Sequence, residues 1–194
     1  ANLRPWSHGV DTEIFKPGPK DYIDHLNLPR PIHLFLGRVT VEKNLPAFLD
    51  LELPGSKIVV GSGPARESLM AKYPHVPFFI ADGDAELAQY YNAADVFVFP
   101  SLTDTFGLVM LEALACGIPV AAFPITGPKD VIGTSGVGVL DNDLAAAAAK
   151  AQGIDPTACR AHALKFSWDA VVSEFLDYLA PIADLQEPPA QAAQ

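Results

Sequence analysis

One carboxylate stands alone in an apolar stretch of this sequence, and its position is the first sign of chemistry. From Phe106 to Cys116 every residue is apolar or glycine except Glu112. This composition predicts a helix that is buried on its other faces. Because an unpaired buried carboxylate is costly, Glu112 is either a core residue satisfied by backbone groups or an arginine, or a ligand for sugar-type hydroxyl groups.

A second acid and a set of backbone amides precede Glu112. Asp104 lies eight residues earlier, in a short polar loop after the predicted strand Val96 to Phe99, so the two acids flank the helix N-terminus and are expected to face one pocket. Gly107 has no Cβ that would keep a ligand away. The free amides of Gly107, Leu108 and Val109 are expected to point out of the first turn, which makes this terminus a favourable anion site.

Two basic residues follow the first predicted strand, Pro31 to Leu36. Arg38 and Lys43 are five positions apart in the loop between this strand and a predicted helix, for which Asn44 is the expected N-cap. Loops at the carboxyl ends of parallel strands are where open α/β sheets bind ligands. The pair is therefore interpreted either as the positive charge for a diphosphate or as two solvated loop cations.

A glycine pair follows the next predicted strand, Ser56 to Val60. Gly61 and Gly63 stand at a strand-to-helix turn, where they would let the backbone approach a phosphate or a ribose. A dinucleotide site would also want a glycine at position 66, where Arg66 stands, and an acid near position 82, where the sequence has two. The missing glycine counts against a nicotinamide or flavin site but leaves the possibility open.

Predicted strands and helices alternate along the chain. Apolar runs predict six strands, at 31–36, 56–60, 76–80, 96–99, 118–123 and 137–140, with helical patterns between them. This order predicts an α/β fold, a Rossmann-like parallel sheet of about six strands flanked by helices. Residues 1–17 are predicted to be an interdomain linker, residues 18–180 one domain and residues 181–194 a disordered tail, and 156–179 predicts an amphipathic helical stretch.

The composition argues against several classes of protein. A net charge of −10 argues against nucleic acid as a partner, since that surface needs clustered basic residues. The sequence contains no run of about 18 apolar residues, so no membrane-spanning helix is predicted. Two cysteines favour a reducing cytoplasm, and peripheral attachment at the inner face of a membrane stays open. No metal site is expected, because the histidines are scattered and the Asp-x-Asp triplets at 82–84 and 141–143 are interpreted as helix N-caps.

The segment around Glu112 resembles a known family signature. Thr103 to Ala113, followed by Gly117-Ile118-Pro119-Val120, is similar to the signature of the family 4 retaining glycosyltransferases of GT-B fold, in which seven residues separate two glutamates. Glu112 matches the second glutamate, whereas Asp104, with its shorter side chain, replaces the first. The resemblance extends from Gly9 to about Leu179.

The resemblance implies the C-terminal, donor-binding half of a GT-B enzyme, with a UDP- or GDP-linked sugar as donor. Arg38 and Lys43 are similar, at the same spacing, to the pair that holds the donor diphosphate in the family. Glu112 is implied to bind the ribose and Asp104 the transferred sugar. Further donor contacts are implied at Gly61, Gly63, Ile80 (near the base), Phe106, Gly107, Leu108 and Val109.

The family further implies a retaining hexosyltransferase that works without a metal or a cofactor. Residues Gly9 to Asp11 are similar to the segment that leads from the N-terminal acceptor domain into the donor domain. The acceptor, a saccharide or a lipid, would be bound by that N-terminal domain, which this chain lacks. Two other classes stay open, namely a non-catalytic nucleotide- or sugar-binding domain and a dinucleotide-dependent oxidoreductase built on Gly61-Ser62-Gly63.

Overall fold

The computed structural model describes Arg4 and residues 6–179, so the predicted tail at 181–194 lies outside the described residues. A six-stranded sheet has the order β3-β2-β1-β4-β5-β6, and every pairing in it is parallel. The strands are β1 (Ile32–Leu36), β2 (Ser56–Val60), β3 (Phe78–Phe79), β4 (Val96–Phe99), β5 (Val120–Ala122) and β6 (Gly138–Leu140). The predicted α/β fold and its parallel sheet are confirmed.

Helices cover both faces of the sheet. They are α1 (Leu45–Leu49), α2 (Arg66–Lys72), α3 (Asp84–Ala93), α4 (Leu108–Ala115), α5 (Thr126–Val131), α6 (Leu144–Ala151), α7 (Pro156–Ala163) and α8 (Trp168–Tyr178), with short 3-10 helices at Asp24–Leu26, Val41–Lys43 and Leu164–Phe166. Residues of α1, α2 and α6 form the core on one face, and residues of α3, α4, α5 and α7 form the core on the other. The central strands β1 and β4 are buried at every position because helices pack on both sides.

Two strands are each three residues shorter than predicted, for different reasons. The strand predicted at 76–80 pairs only at Phe78–Phe79, since Pro77 has no amide to donate and the amide of Val76 closes a turn on Tyr73. The strand predicted at 118–123 is reduced to β5. Ile118 donates to the carbonyl of Ala113 and Gly117 to that of Leu114, which is the Schellman ending of α4.

Three predictions about where helices begin or end are wrong. Asn44 does not cap α1 through its side chain; it adopts a left-handed conformation and donates to the carbonyl of Pro100 at 3.0 Å. The stretch predicted to be helical from 156 to 179 is broken at Ser167, whose hydroxyl caps α8. Asp143 caps α6 as predicted, but Gly83 occupies the N-cap of α3, so the triplet at 82–84 provides no side-chain cap.

The segment before residue 18 packs against the domain. Val10 and Phe15 are buried, and the amide of Val10 donates to the carbonyl of Phe166 at 2.8 Å. The guanidinium of Arg160 in α7 donates to the carbonyls of Thr12 and Phe15 at 2.9 and 2.7 Å. On α8 the outer apolar side chains stay exposed, among them Trp168, Val172, Phe175 and Leu176. The predicted role of this segment as an interdomain linker stays a prediction.

His33 makes the stability of the folded chain depend on pH. It is fully buried in β1, its Nδ1 has no hydrogen-bond partner among the residues that the structure describes, and burial holds its pKa below the usual value. As the pH falls below about 6.5, the imidazole of His33 is protonated in the unfolded chain but stays neutral in the folded chain. The contribution of the neutral imidazole to stability is therefore present above that pH and is lost as the pH falls below it.

We expect the free energy of unfolding to fall by about 1 kcal/mol between pH 7.5 and 5.5 because of His33. Denaturant unfolding at both pH values measures this. His33→Gln should remove that part of the pH dependence, whereas His75→Gln, at an exposed histidine, should leave it in place. An unchanged pH dependence in His33→Gln would contradict the assignment.

Candidate functional site

The candidate site lies at the carboxyl edge of the sheet, where the strand order reverses direction. From β1 the chain moves to β2 on one side, and it later returns to β4 on the other side of β1. The loops that follow β1 and β4 therefore face each other across a crevice, which is where open α/β sheets bind ligands. The candidate residues Arg38 and Lys43 belong to the first loop and Asp104 to the second.

Lys43 and Asp104 form an ion pair across this crevice. The Lys43 Nζ lies 2.6 Å from Oδ1 and 2.8 Å from Oδ2 of Asp104, and the two side chains are only 15% and 21% exposed. The side chain of Asn44 donates to the carbonyl of Pro100, and the hydroxyl of Ser101 donates to that of Glu42 at 3.4 Å. These contacts hold the two loops together, so the ammonium and the carboxylate are fixed in place.

Arg38 lies on the same loop but does not join this pair. Its guanidinium is 3.6 Å from the carboxylate of Glu42, and its side chain is 74% exposed. An exposed pair at this distance contributes little to stability. The structure thus presents a solvated arginine beside a fixed lysine.

The N-terminus of α4 carries no side-chain cap. Gly107 occupies the N-cap with a positive φ of +87°, and the first turn contains no acidic residue. A Cβ at Gly107 would lie 2.7 Å from Cε of Met110 and 3.2 Å from Cζ of Phe99. The prediction that this glycine makes room for a ligand is therefore corrected: its missing side chain makes room for the core. The ring of Phe106, next to it, packs on that of His8.

Glu112 accepts a hydrogen bond from the hydroxyl of Tyr91 at 2.8 Å, and within the described part of the chain no arginine or backbone group donates to it. It lines a cleft of about 160 Å³ together with Asp11, Asp84, Leu108 and Trp168. Burial raises the pKa of Glu112, the Tyr91 hydrogen bond opposes that rise, and the charge of Asp84 adds to it. Asp104 is not among the lining residues, so the expectation that the two acids face one pocket is wrong for this cleft.

Gly61 and Gly63 serve the packing of two loops. A Cβ at Gly61 would lie 1.9 Å from the carbonyl oxygen of Gly37, and one at Gly63 would lie 2.3 Å from that of Val39. Both glycines also have positive φ angles, +146° and +152°. The close backbone approach predicted for a ligand is thus made to the neighbouring loop that carries Arg38 and Lys43. Ile80, just past β3, is 59% exposed.

Sequence reasoning missed Tyr91 as a member of the site. Its position in the run Tyr90-Tyr91-Asn92 is typical of a core tyrosine, and it is indeed fully buried. The only available signal was the buried carboxylate of Glu112, which required some partner. The loop contacts of Asn44 and Ser101 were missed as well, because they join residues more than 50 positions apart.

Elsewhere in the described residues there is little competing chemistry. A larger hollow of about 600 Å³ lies at the opposite edge of the sheet, between 51–57 and 75–77, where Lys57 donates to backbone carbonyls. Cys116 and Cys159 are free thiols whose pKa burial raises to about 12, so neither is a nucleophile at neutral pH. Within residues 6–179 no helix combines the length and apolarity needed to cross a bilayer.

Comparisons with known proteins agree with this architecture. Residues 30–154 match the family described as Glycosyl transferases group 1. The sulfoquinovosyl transferase of Arabidopsis thaliana is 37% identical over 141 residues, covering 67% of this chain and 28% of that protein. The GDP-mannose-dependent alpha-mannosyltransferase of Mycobacterium tuberculosis is 34% identical over 140 residues, covering 70% and 37%.

Among solved structures, sucrose-phosphate synthase from Thermosynechococcus elongatus has the same fold. It superposes with a TM-score of 0.71 at 29% identity, covering 90% of this chain and 51% of that one. The chain thus spans no more than about half the length of these three relatives.

Proposed function

Because this chain belongs to the glycosyl transferases group 1 family, we propose that it is the donor-binding half of a retaining hexosyltransferase. The donor would be a nucleotide-diphosphate sugar, and the acceptor, a saccharide or a lipid, would be bound by a second, N-terminal domain. One relative is named for its dependence on GDP-mannose, which supports this class of donor.

The observation that carries the proposal is the ion pair between Lys43 and Asp104 at the switch point of the sheet. A lysine ammonium has three N–H donors, and two carboxylate oxygens of Asp104 account for at most two of them. A donor remains for a phosphate oxygen, and the lone pairs of Asp104 remain for a sugar hydroxyl. One fixed pair therefore suits both the diphosphate and the sugar of such a donor.

The proposed mechanism stabilises the departing diphosphate. As the glycosidic bond breaks, negative charge grows on the phosphate oxygens, and Lys43, Arg38 and the first amides of α4 would hold it. Preorganised donors of this kind contribute about 3 kcal/mol each to lowering a barrier. Glu112 would accept hydrogen bonds from the ribose hydroxyls. Retention would follow if the acceptor attacks the face of the sugar that the diphosphate leaves.

Isothermal titration calorimetry with UDP, GDP, ADP and their sugar conjugates tests the proposal, with a chelator present and NAD as control. We expect one diphosphate nucleotide to bind and Arg38→Ala to weaken it about tenfold, because a charge-assisted contact at an exposed position is lost. Lys16→Ala, at another exposed cation, is the matched control and should bind normally. Binding of NAD alone would contradict the proposal and favour an oxidoreductase.

A further inference from the structure

The hydroxyl of Tyr91 is fixed between two parts of α4. It lies 2.8 Å from Oε2 of Glu112 and 3.1 Å from the carbonyl oxygen of Val109 in the first turn of the helix. A tyrosine hydroxyl has one proton, and the nearer, charged acceptor takes it. We infer that Tyr91 is a positioning residue of the donor site, which holds Glu112 in the orientation that presents its other oxygen to the ribose. This inference rests on the proposed function.

The tyrosine is a rigid support for this contact. Its side chain is completely buried, and its ring packs at steep angles on the rings of Phe15 and Phe97, with centroids 5.9 and 5.7 Å away. A glutamate side chain has three rotatable bonds, and one fixed hydrogen bond at its tip removes most of that freedom. Among the described residues Oε1 of Glu112 has no hydrogen-bond partner, and Glu112 lines the open cleft.

The same contact favours the ionised form of Glu112 in unfavourable surroundings. Burial and the charge of Asp84 both raise its pKa, and the hydrogen bond from Tyr91 lowers it. The charged and titratable groups around it are Asp84 and Tyr91 of α3, Asp11 in the cleft and Cys116 on α4, and Arg160 of α7 donates to the carbonyl of Ala115 at the end of α4. A protonated carboxyl is a weaker acceptor for a ribose diol than a carboxylate, so protonation of Glu112 should weaken donor binding.

The chain contains a matched control for this contact. Tyr73 is also buried, and its hydroxyl donates to a carboxylate oxygen of Asp50 at 2.6 Å, but it lies in the core on the other face of the sheet. Tyr73→Phe therefore removes a hydrogen bond from a buried tyrosine to a carboxylate, here the exposed carboxylate of Asp50, away from the site.

The experiment measures nucleotide affinity between pH 5 and 8 for the unsubstituted chain, Tyr91→Phe and Tyr73→Phe. The probe is the diphosphate nucleotide that binds the unsubstituted chain. We expect Tyr91→Phe to bind about tenfold more weakly near neutral pH and to lose binding at a pH about one unit higher than the unsubstituted chain. Removing a donor to the carboxylate raises the pKa of Glu112, so Glu112 is protonated, and binding is lost, at a higher pH. Tyr73→Phe should keep both the affinity and the profile.

The outcomes separate the two proposals. If no nucleotide binds the unsubstituted chain, the donor-site function itself fails. If the nucleotide binds and Tyr91→Phe weakens it equally at every pH, or not at all, Tyr91 is only a core residue and this inference fails alone. Should Tyr91→Phe not fold, 3-fluorotyrosine placed at position 91 keeps the ring and strengthens the donor. It should then move the loss of binding to lower pH, and an unmoved profile would overturn the inference.

Discussion

Lys43→Met is expected to weaken the binding of a nucleoside diphosphate about 100-fold, because it removes charge-assisted hydrogen bonds worth about 3 kcal/mol in total. The fold should persist, since the Asp104 partner is 21% exposed and can be hydrated once the lysine is gone. Calorimetric titration with the diphosphate and with the corresponding nucleoside measures the effect. The nucleoside, which has no phosphate, should bind the variant and the unsubstituted chain equally.

Two further variants sharpen this test. Lys150→Met removes a lysine that also pairs with an aspartate, Asp141 at 3.1 Å, but lies on α6 away from the crevice and should bind normally. Lys43→Arg keeps the charge and should retain part of the affinity. If Lys43→Met binds the diphosphate as tightly as Lys150→Met does, the ion pair of Lys43 and Asp104 is structural and the proposed diphosphate site is wrong.

Glu112→Gln is expected to move affinity and stability in opposite directions. The amide oxygen of glutamine can still accept the hydrogen bond from Tyr91, and the buried negative charge is removed. The free energy of unfolding at pH 7 should therefore rise by about 1 kcal/mol. Residues kept for function often lower stability in this way. Affinity for the nucleotide should fall about 30-fold, because a neutral amide is a weaker acceptor for ribose hydroxyls than a carboxylate. Denaturant unfolding and calorimetry measure the two effects.

The pH dependence provides an independent check on Glu112. Because its pKa is raised in the folded chain, its contribution to stability is complete below the unfolded value of about 4.5 and is lost as the pH rises through the folded pKa. The increase in the free energy of unfolding that Glu112→Gln brings should therefore be smaller at low pH. Asp50→Asn, which changes an exposed carboxylate that accepts from Tyr73, is the control and should alter neither quantity. A loss of stability in Glu112→Gln at pH 7 would contradict this account.

The sequence was sufficient for the fold because each element carries local signals. The run from Ser56 to Val60 is bounded by glycines and forms β2 with the predicted bounds. The order of strands and helices then restricts the sheet to parallel pairings with crossovers between them. The errors lie where one residue decides against the local pattern, as Pro77 does in β3 and Ser167 does between the last two helices.

The site was only partly predictable, because its contacts are long-range. Types and spacing drew attention to Lys43, Asp104 and Glu112, but nothing local indicates that the first two form a pair. The role of glycine at 107 was misread for a related reason, since the direction of a missing Cβ depends on a left-handed backbone that only the folded chain shows. Residue chemistry can be read from a sequence, whereas the partner of each residue comes from the packing.

The anchoring of the N-terminal segment determines where bending is possible. Val10 is tied to Phe166, Arg160 holds the carbonyls of Thr12 and Phe15, and the side chain of Asn92 accepts from the amide of Gly18. If the proposed acceptor domain precedes this segment, residues 10–18 move with the donor domain as part of one rigid body. The hinge for opening and closing such a two-domain enzyme would then lie before Val10 in the chain. Loss of the hydrogen bonds from Arg160 would move that hinge into residues 10–18 and make the closed arrangement of the two domains less well defined.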